Sequence, residues 1–428
     1  MLRFWRRIRE RPATAFGRPA PGLWGFKLQG SVELRTSTLV RGWIRDAAHP
    51  SDRLRVIART NGRVVAAGTA DLFRPDLAAA GIGDGRYAFE LHFPECQAHS
   101  IQVETVGTRQ IVPVAPYAIE DATPVQRGKD GWLFLRTGSN QVERFFTDRQ
   151  HFTDAEVERW CAVLDYRKRR LQQMAVAYFH MIAPDKITVY SDRYGSYLPS
   201  FDARPSLVLP NALKKMGLQD VYVDVAPALV GERDNALLYW KTDTHWTFAG
   251  ALIAAREICR VLRLECPKFS TRLLATHTPT LDLGGKVDPP IDEHVELFEF
   301  LDPAQMIYAN SLVNQANVPG QSRSGLLHGS HVVYRNGNAP NDLTLALFGD
   351  SFCEVGPWLL TGMLAQVFRE VHFMWSNSID FGYIEEIKPD IVLSEIAERF
   401  VKRFPDDDRD LRSFALKRYA EFAGRQLG

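Results

Sequence analysis

The hydrophobic period of this chain changes part-way along it, and that change admits only a fold in two parts. From about Gly25 to Pro116, short segments alternate apolar and polar residues: SVELRTSTLVRGWIRD (31–46), RLRVIARTNGRVVAAGTAD (53–71), RYAFELHF (86–93) and HSIQVETVG (99–107). A period of two marks half-buried strands. Asn61-Gly62 sits between two of them and suits a two-residue hairpin turn, in which both central residues need positive φ. The expectation for residues 25–116 is a small β-sandwich, preceded by a basic tail over 1–24.

After the stretch PYAIEDATPVQRGKDG (116–131) the period becomes helical. Val157, Trp160, Cys161 and Leu164 fall at i, i+3, i+4 and i+7 of an amphipathic helix. A strand-like run, MAVAYFHMIAP (174–184), follows directly. The alternation continues with VYVDVAP (221–227), a helix over 247–264, LTLALFGDS (343–351), a helix over 356–368, VHFMW (371–375) and DIVLSEI (390–396). Strands separated by helices predict an α/β domain over 117–428, a parallel sheet covered on both faces. Residues 271–341, rich in Pro, Gly and Asn and without clear period, are expected to form an irregular excursion over the sheet edge.

Composition removes several function classes. Fifty-two basic residues against fifty-one acidic leave a formal charge of +1, so no global field holds a nucleic acid. The five cysteines, Cys96, Cys161, Cys259, Cys266 and Cys353, are scattered without C-x-x-C spacing, which argues against a disulfide framework or a zinc site. Neither a signal-peptide h-region nor ~18 consecutive apolar residues is visible. The expectation is a cytoplasmic protein with no transmembrane segment, with attachment to a membrane surface through an amphipathic basic N-terminus left open.

The chemistry concentrates at two places. Gly349-Asp350-Ser351 ends an apolar run just before a helical stretch, where a serine hydroxyl can project above the carboxyl edge of a parallel sheet. A hydroxyl attacks only if a base takes its proton. The matching base is His245 of YWKTDTHWTFAGA (239–251), with Asp243 two residues before it to orient the ring; in extended backbone such residues share a side. The Ser351 N–H is the expected donor to a tetrahedral oxyanion. Taken singly, Gly-Asp-Ser is a commonplace tripeptide, a histidine before a helix also serves as a surface residue, and Asp-x-His is also half a metal site. Tyr239, Trp240 and Trp246 suit stacking on a sugar ring or packing of the loop. Arg399 can reach the site or close an ion pair at a strand end. Cys353 reads as a small hydrophobe, or as a nucleophile without a base.

The segments GKDGWLFL (128–135), APDK (183–186), DTHWT (243–247), LDLGG (281–285), FGDSF (348–352) and PDIVLSEIAERF (389–400) together resemble, in order, the alginate O-acetyltransferase (AlgX/AlgJ-like) branch of the SGNH hydrolases, over about residues 125–402. The resemblance implies an SGNH-like sheet, catalytic Asp243 and His245, nucleophile Ser351 and an acetyl-serine intermediate with no metal. It implies a polysaccharide or oligosaccharide substrate and no bound cofactor; glycan-assembly proteins as partners, and the choice between acetyl-CoA and an acetylated carrier as donor, are left open by the sequence. GWIRD (42–46) and the segment 70–91 resemble a module of bacterial glycan-assembly proteins. The chain departs from the branch in showing no export signal and in carrying its β-rich part in front. An acetylesterase with the same residues, and a non-catalytic glycan-binding scaffold, are the competing expectations.

Overall fold

The computed structural model describes residues 27–426 apart from 37, 75–76, 79–80, 95–99, 121–123, 138–140, 197 and 319–326; the expected basic tail lies outside the described residues. The chain divides between Ala122 and Thr123 into two compact units. In the first, strands run β1 (Leu28–Arg35), β2 (Leu39–Asp46), β3 (Arg55–Thr60), β4 (Arg63–Thr69), β5 (Leu72–Phe73), β6 (Arg86–His92), β7 (Gln102–Thr105) and β8 (Val114–Glu120). The expected boundary at 116/117 falls inside β8, which pairs in parallel with β1. Asn61 (φ 48°) and Gly62 (φ 77°) turn the β3–β4 hairpin with Thr60 opposite Arg63, as their sequence requires. Two sheets result, ordered β5-β6-β2-β1-β8 and β4-β3-β7. Val32, Val40 and Ile44 from the first and Val56, Ala58 and Val103 from the second share one buried core, which makes the unit a sandwich.

The second unit opens with a ribbon of β9 (Val125–Arg127) and β10 (Leu133–Leu135), then helix α1 (Asp154–Gln173), β11 (Ala177–Ala183), α2 (Pro205–Lys215) and α3 (Phe248–Leu262). Thr153 caps α1 in a capping box with Glu156, and the helix buries Val157, Trp160, Cys161 and Leu164, the face its period predicts. The segment expected to be irregular instead holds β12 (Thr271–His277), β13 (Val295–Phe300), β14 (Gln305–Ala309) and β15 (His331–Arg335). Then come β16 (Asn341–Gly349), α4 (Leu360–Val367), β17 (Phe368–Trp375), α5 (Phe381–Ile387), β18 (Ile391–Ala397) and α6 (Leu411–Gln426).

The main sheet is ordered β11-β18-β16-β17-β15-β14. Its first four strands are parallel; β15 and β14, drawn from the supposed excursion, extend it antiparallel. All seven residues of β18 are buried, as a central strand covered on both faces demands. The run 221–227 makes only one parallel bridge, Tyr222 to His180, where a full strand was expected. Val221, Val223 and Val225 are buried there without a ladder, so burial alone accounts for their spacing. No helix among the described residues is long and apolar enough to cross a membrane.

A buried ion pair ties α1 to the chain beyond β18. Arg167 Nε and Nη2 each donate to Asp407 at 2.7 Å, and Nη2 also donates to the Asn377 carbonyl at 2.8 Å. Removing one partner strands the other in a dry site, at a cost of about 3–5 kcal/mol. In urea denaturation Arg167→Met is therefore expected to lose stability on that scale, while Arg169→Met, on the exposed side of the same helix, leaves the midpoint unchanged.

Candidate active site

Parallel pairing brings three strand ends to one edge. Ala183 of β11 lies opposite Ala397 of β18, and Phe348 of β16 opposite Ser394, so the residues that follow, Asp185 and Lys186, Glu398 and Arg399, and Asp350 and Ser351, emerge together. The Asp350 carboxylate stitches two of these ends, accepting from Ala397 N at 2.8 Å and from Phe352 N at 3.1 Å. Gly349 admits this turn because a Cβ there would come 2.5 Å from Cys353 Sγ and 2.7 Å from Glu395 Oε2. Glu395 is buried and accepts from Asp350 N; burial and the Asp350 charge raise its pKa well above the usual range.

His245 arrives on a loop rather than a strand. Tyr239 and Trp246 bridge across its base, and Thr247 caps α3 immediately after it by accepting from Gly250 N. Inside the loop the buried Lys186 ammonium donates to the carbonyls of Trp240, Lys241 and Asp243 at 2.9, 2.9 and 2.6 Å. Burial pushes the Lys186 pKa down to about 7, against the pull of Asp243, Glu293 and Asp282. On the other side Glu293 accepts from Lys241 N, Thr242 N and Thr242 Oγ1. The Leu283 and Gly284 N–H groups donate to the Thr242 carbonyl, and Leu133 N to that of Lys241. Segments distant in sequence thus fix one six-residue loop. Lys186, Glu293 and Glu395 had been given no role in the sequence: their contacts are long-range and leave no periodic signal.

Within that frame the three expected residues meet. Asp243 Oδ1 lies 2.7 Å from His245 Nδ1, and His245 Nε2 lies 2.8 Å from Ser351 Oγ. The backbone bends here instead of extending, and the same Asp243 oxygen also accepts the His245 N–H at 2.8 Å. Burial raises the Asp243 pKa, but the hydrogen bonds and charge of His245, with the Asp282 N–H on its second oxygen, outweigh it and hold the carboxyl well below its usual range. The group is a standing anion behind the imidazole. Arg399, 5% exposed, pairs with Asp185 at 2.9 Å and places Nη2 3.4 Å from His245 Nε2. It both closes the strand-end ion pair and reaches the site. The Ser351 N–H makes no hydrogen bond among the described residues.

Two expected substrate contacts are corrected. Trp246 and Tyr239 are both 0% exposed. Trp246 Nε1 donates to the Phe352 carbonyl at 3.0 Å, and Tyr239 donates its hydroxyl proton to the Pro184 carbonyl at 2.5 Å. No sugar ring can reach either; they pack the loop. Cys353 is likewise fully buried, its thiol pKa raised by burial and by Glu395 and Asp350, which suits packing and not attack. Among the described residues no group of three or more His, Cys, Asp and Glu side chains could hold a metal ion.

A family model described as SGNH hydrolase-like domain, acetyltransferase AlgX, matches residues 125–383. The chain is 24% identical over 307 residues to a probable alginate O-acetylase AlgJ of Pseudomonas fluorescens, covering 68% of each protein. It is 25% identical over 291 residues to the probable alginate O-acetylase AlgJ of Pseudomonas aeruginosa, covering 65% of this chain and 67% of that one. Among solved structures, the O-acetyltransferase domain of Pseudomonas putida AlgJ is similar at a TM-score of 0.46 and 15% identity, over 69% of this chain and 99% of that one.

The Lys186 clamp has a measurable consequence. Lys186→Met takes that donor from the Trp240, Lys241 and Asp243 carbonyls, of which Lys241 keeps the Leu133 N–H; each carbonyl left without a donor costs about 1–3 kcal/mol. The variant is expected to lose at least about 2 kcal/mol, with amide exchange accelerating at Thr242 and His245 while the β16 and β18 amides keep their protection.

Proposed function

Because the chain belongs to the family of AlgX-type SGNH hydrolase-like acetyltransferase domains, we propose that it transfers an acetyl group to a hydroxyl of a polysaccharide or its precursor through an acetyl-Ser351 intermediate. The observation that carries this reading is the hydrogen-bonded line from Asp243 through His245 to Ser351, at 2.7 and 2.8 Å. The names of the alginate O-acetylase relatives support the acceptor class.

In the first half-reaction His245 Nε2 takes the Ser351 proton as Oγ adds to the donor's acetyl carbonyl. The Ser351 N–H serves as donor to the developing oxyanion, and the Arg399 guanidinium adds a fixed positive charge beside it. Collapse expels the donor's leaving group, which takes the proton from His245, and leaves acetyl-Ser351. A sugar hydroxyl then gives its proton to His245 and attacks the ester; the second collapse returns the proton to Ser351 Oγ. Asp243 stays ionised throughout, holding the proton on Nδ1 and the ring edge-on to the serine. The same steps serve acetyl-CoA or an acetylated carrier as donor, and water in place of the sugar makes the site an acetylesterase.

The test is p-nitrophenyl acetate turnover with intact mass after brief reaction. Wild type is expected to release nitrophenol and gain about 42 Da, one acetyl group, with both lost in Ser351→Ala. Equal turnover in the two proteins would sink the proposal. With oligosaccharide acceptors, acetylated product identifies transfer, and free acetate alone identifies hydrolysis. Asp243→Asn, which turns the acceptor behind Nδ1 into a donor, is expected to lower turnover on the order of 10³–10⁴-fold. Arg399→Gln should lower kcat about 10²-fold at nearly unchanged KM.

A further inference from the structure

Ser351, with Gly349 and Asp350, also forms one wall of a cavity of about 540 Å³, inside the range of roughly 300–1,000 Å³ that encloses small organic ligands. The rest of its lining divides by chemistry. Trp375, Phe400 and Phe404 are among its aromatic residues, while three arginines line it from the connection after β18 and from α6: Arg403, whose guanidinium lies over the Phe400 ring, and Arg409 and Arg418, whose guanidiniums lie over Phe414. Two carboxylates stand against them. Asp350 is committed to the N–H groups of Ala397 and Phe352, and Asp406 lies 3.3 Å from Arg409 Nη2. At His328 on the same wall, burial first and then the charges of Arg418, Arg409 and Arg403 lower the pKa.

A neutral acetyl ester and a neutral sugar need no such wall. A carboxylate has two oxygens and is satisfied by one guanidinium fork, whereas a phosphate offers at least three oxygens and more charge, matching several forks at once. The adjoining rings give a flat apolar surface to whatever carries the phosphate. We propose that this cavity is a phosphate subsite, which holds the phosphate of a phosphorylated organic molecule while its acyl group or its hydroxyl reacts at Ser351. The reaction half rests on the acetyl-Ser351 reading; the anion site does not, because binding needs no acyl chemistry.

The test is calorimetric titration of the full-length wild-type chain at low ionic strength with inorganic pyrophosphate, coenzyme A, glucose 1-phosphate and glucuronate. Pyrophosphate is expected to saturate one site at least tenfold more tightly than glucuronate. At least one organic phosphate should match or exceed it: coenzyme A if the phosphate belongs to the donor, glucose 1-phosphate if it belongs to the acceptor. Arg409→Gln with Arg418→Gln should weaken pyrophosphate at least tenfold at an unchanged Tm; should that variant fail to fold, the pyrophosphate-to-glucuronate ratio in wild type decides alone. Absence of saturable pyrophosphate binding, equal affinity for glucuronate, exclusion of both organic phosphates, or unchanged affinity in the folded double variant would each overturn the subsite. A chain that binds pyrophosphate yet never gains acetyl mass would leave the subsite standing and remove the acyl-serine; the reverse pattern would do the opposite.

Discussion

A single buried ammonium holds the candidate active site in shape. Lys186 spends its three hydrogens on three carbonyls of the loop that carries Asp243 and His245, with Trp132 and Phe134 facing the same nitrogen at 5.6 and 5.3 Å. Backbone carbonyls turned inward are costly unless they find donors. Here the donor is a charge that is itself buried, so loop and lysine stabilise each other, and neither is stable in this place alone. The Glu293 carboxylate does the complementary work on the loop's N–H groups. Between them they fix the backbone that carries the imidazole, and the Asp243 carboxylate then orients the ring.

The sheet supplies the other half of the constraint. Four parallel strands discharge their chain ends along one edge, so a serine after β16, an arginine after β18 and a lysine after β11 become neighbours although more than 160 residues separate Lys186 from Ser351. Polar groups gathered at such an edge need close approach of backbones. Gly349 and the Asp350 carboxylate provide it, the first by lacking a side chain where Cys353 and Glu395 crowd in, the second by bonding to the end of the neighbouring strand.

Much of this was legible in the sequence, for physical reasons particular to each element. The Asn61-Gly62 turn, the buried face of α1, the alternation of strand and helix, and the Asp243, His245, Ser351 set all depend on local spacing or on residue types with few other uses. Segment 271–341 was not legible, because β12 and β14 are largely exposed and β13 buries only its two end residues, so none of the three carries period-two burial. Valines of the run 221–227 misled in the opposite way, being buried without a ladder. Tyr239 and Trp246 flank the right residues, but composition near a site does not say which way an aromatic faces, and both face inward. Lys186 and Glu293 act on backbone atoms 51 to 57 residues away, a relation no local pattern encodes.

The order of strands has one further consequence. β18, which leaves the ribosome after both of its neighbours, lies between β11 and β16. Until it inserts, the two halves of the sheet have no shared ladder, Asp350 lacks the Ala397 N–H that draws its turn toward the neighbouring strand, and Arg399 is not held beside His245. A nascent or truncated polypeptide therefore carries serine and histidine but no assembled constellation. Assembly of the candidate site thus waits on the closure of the sheet rather than on the synthesis of Ser351.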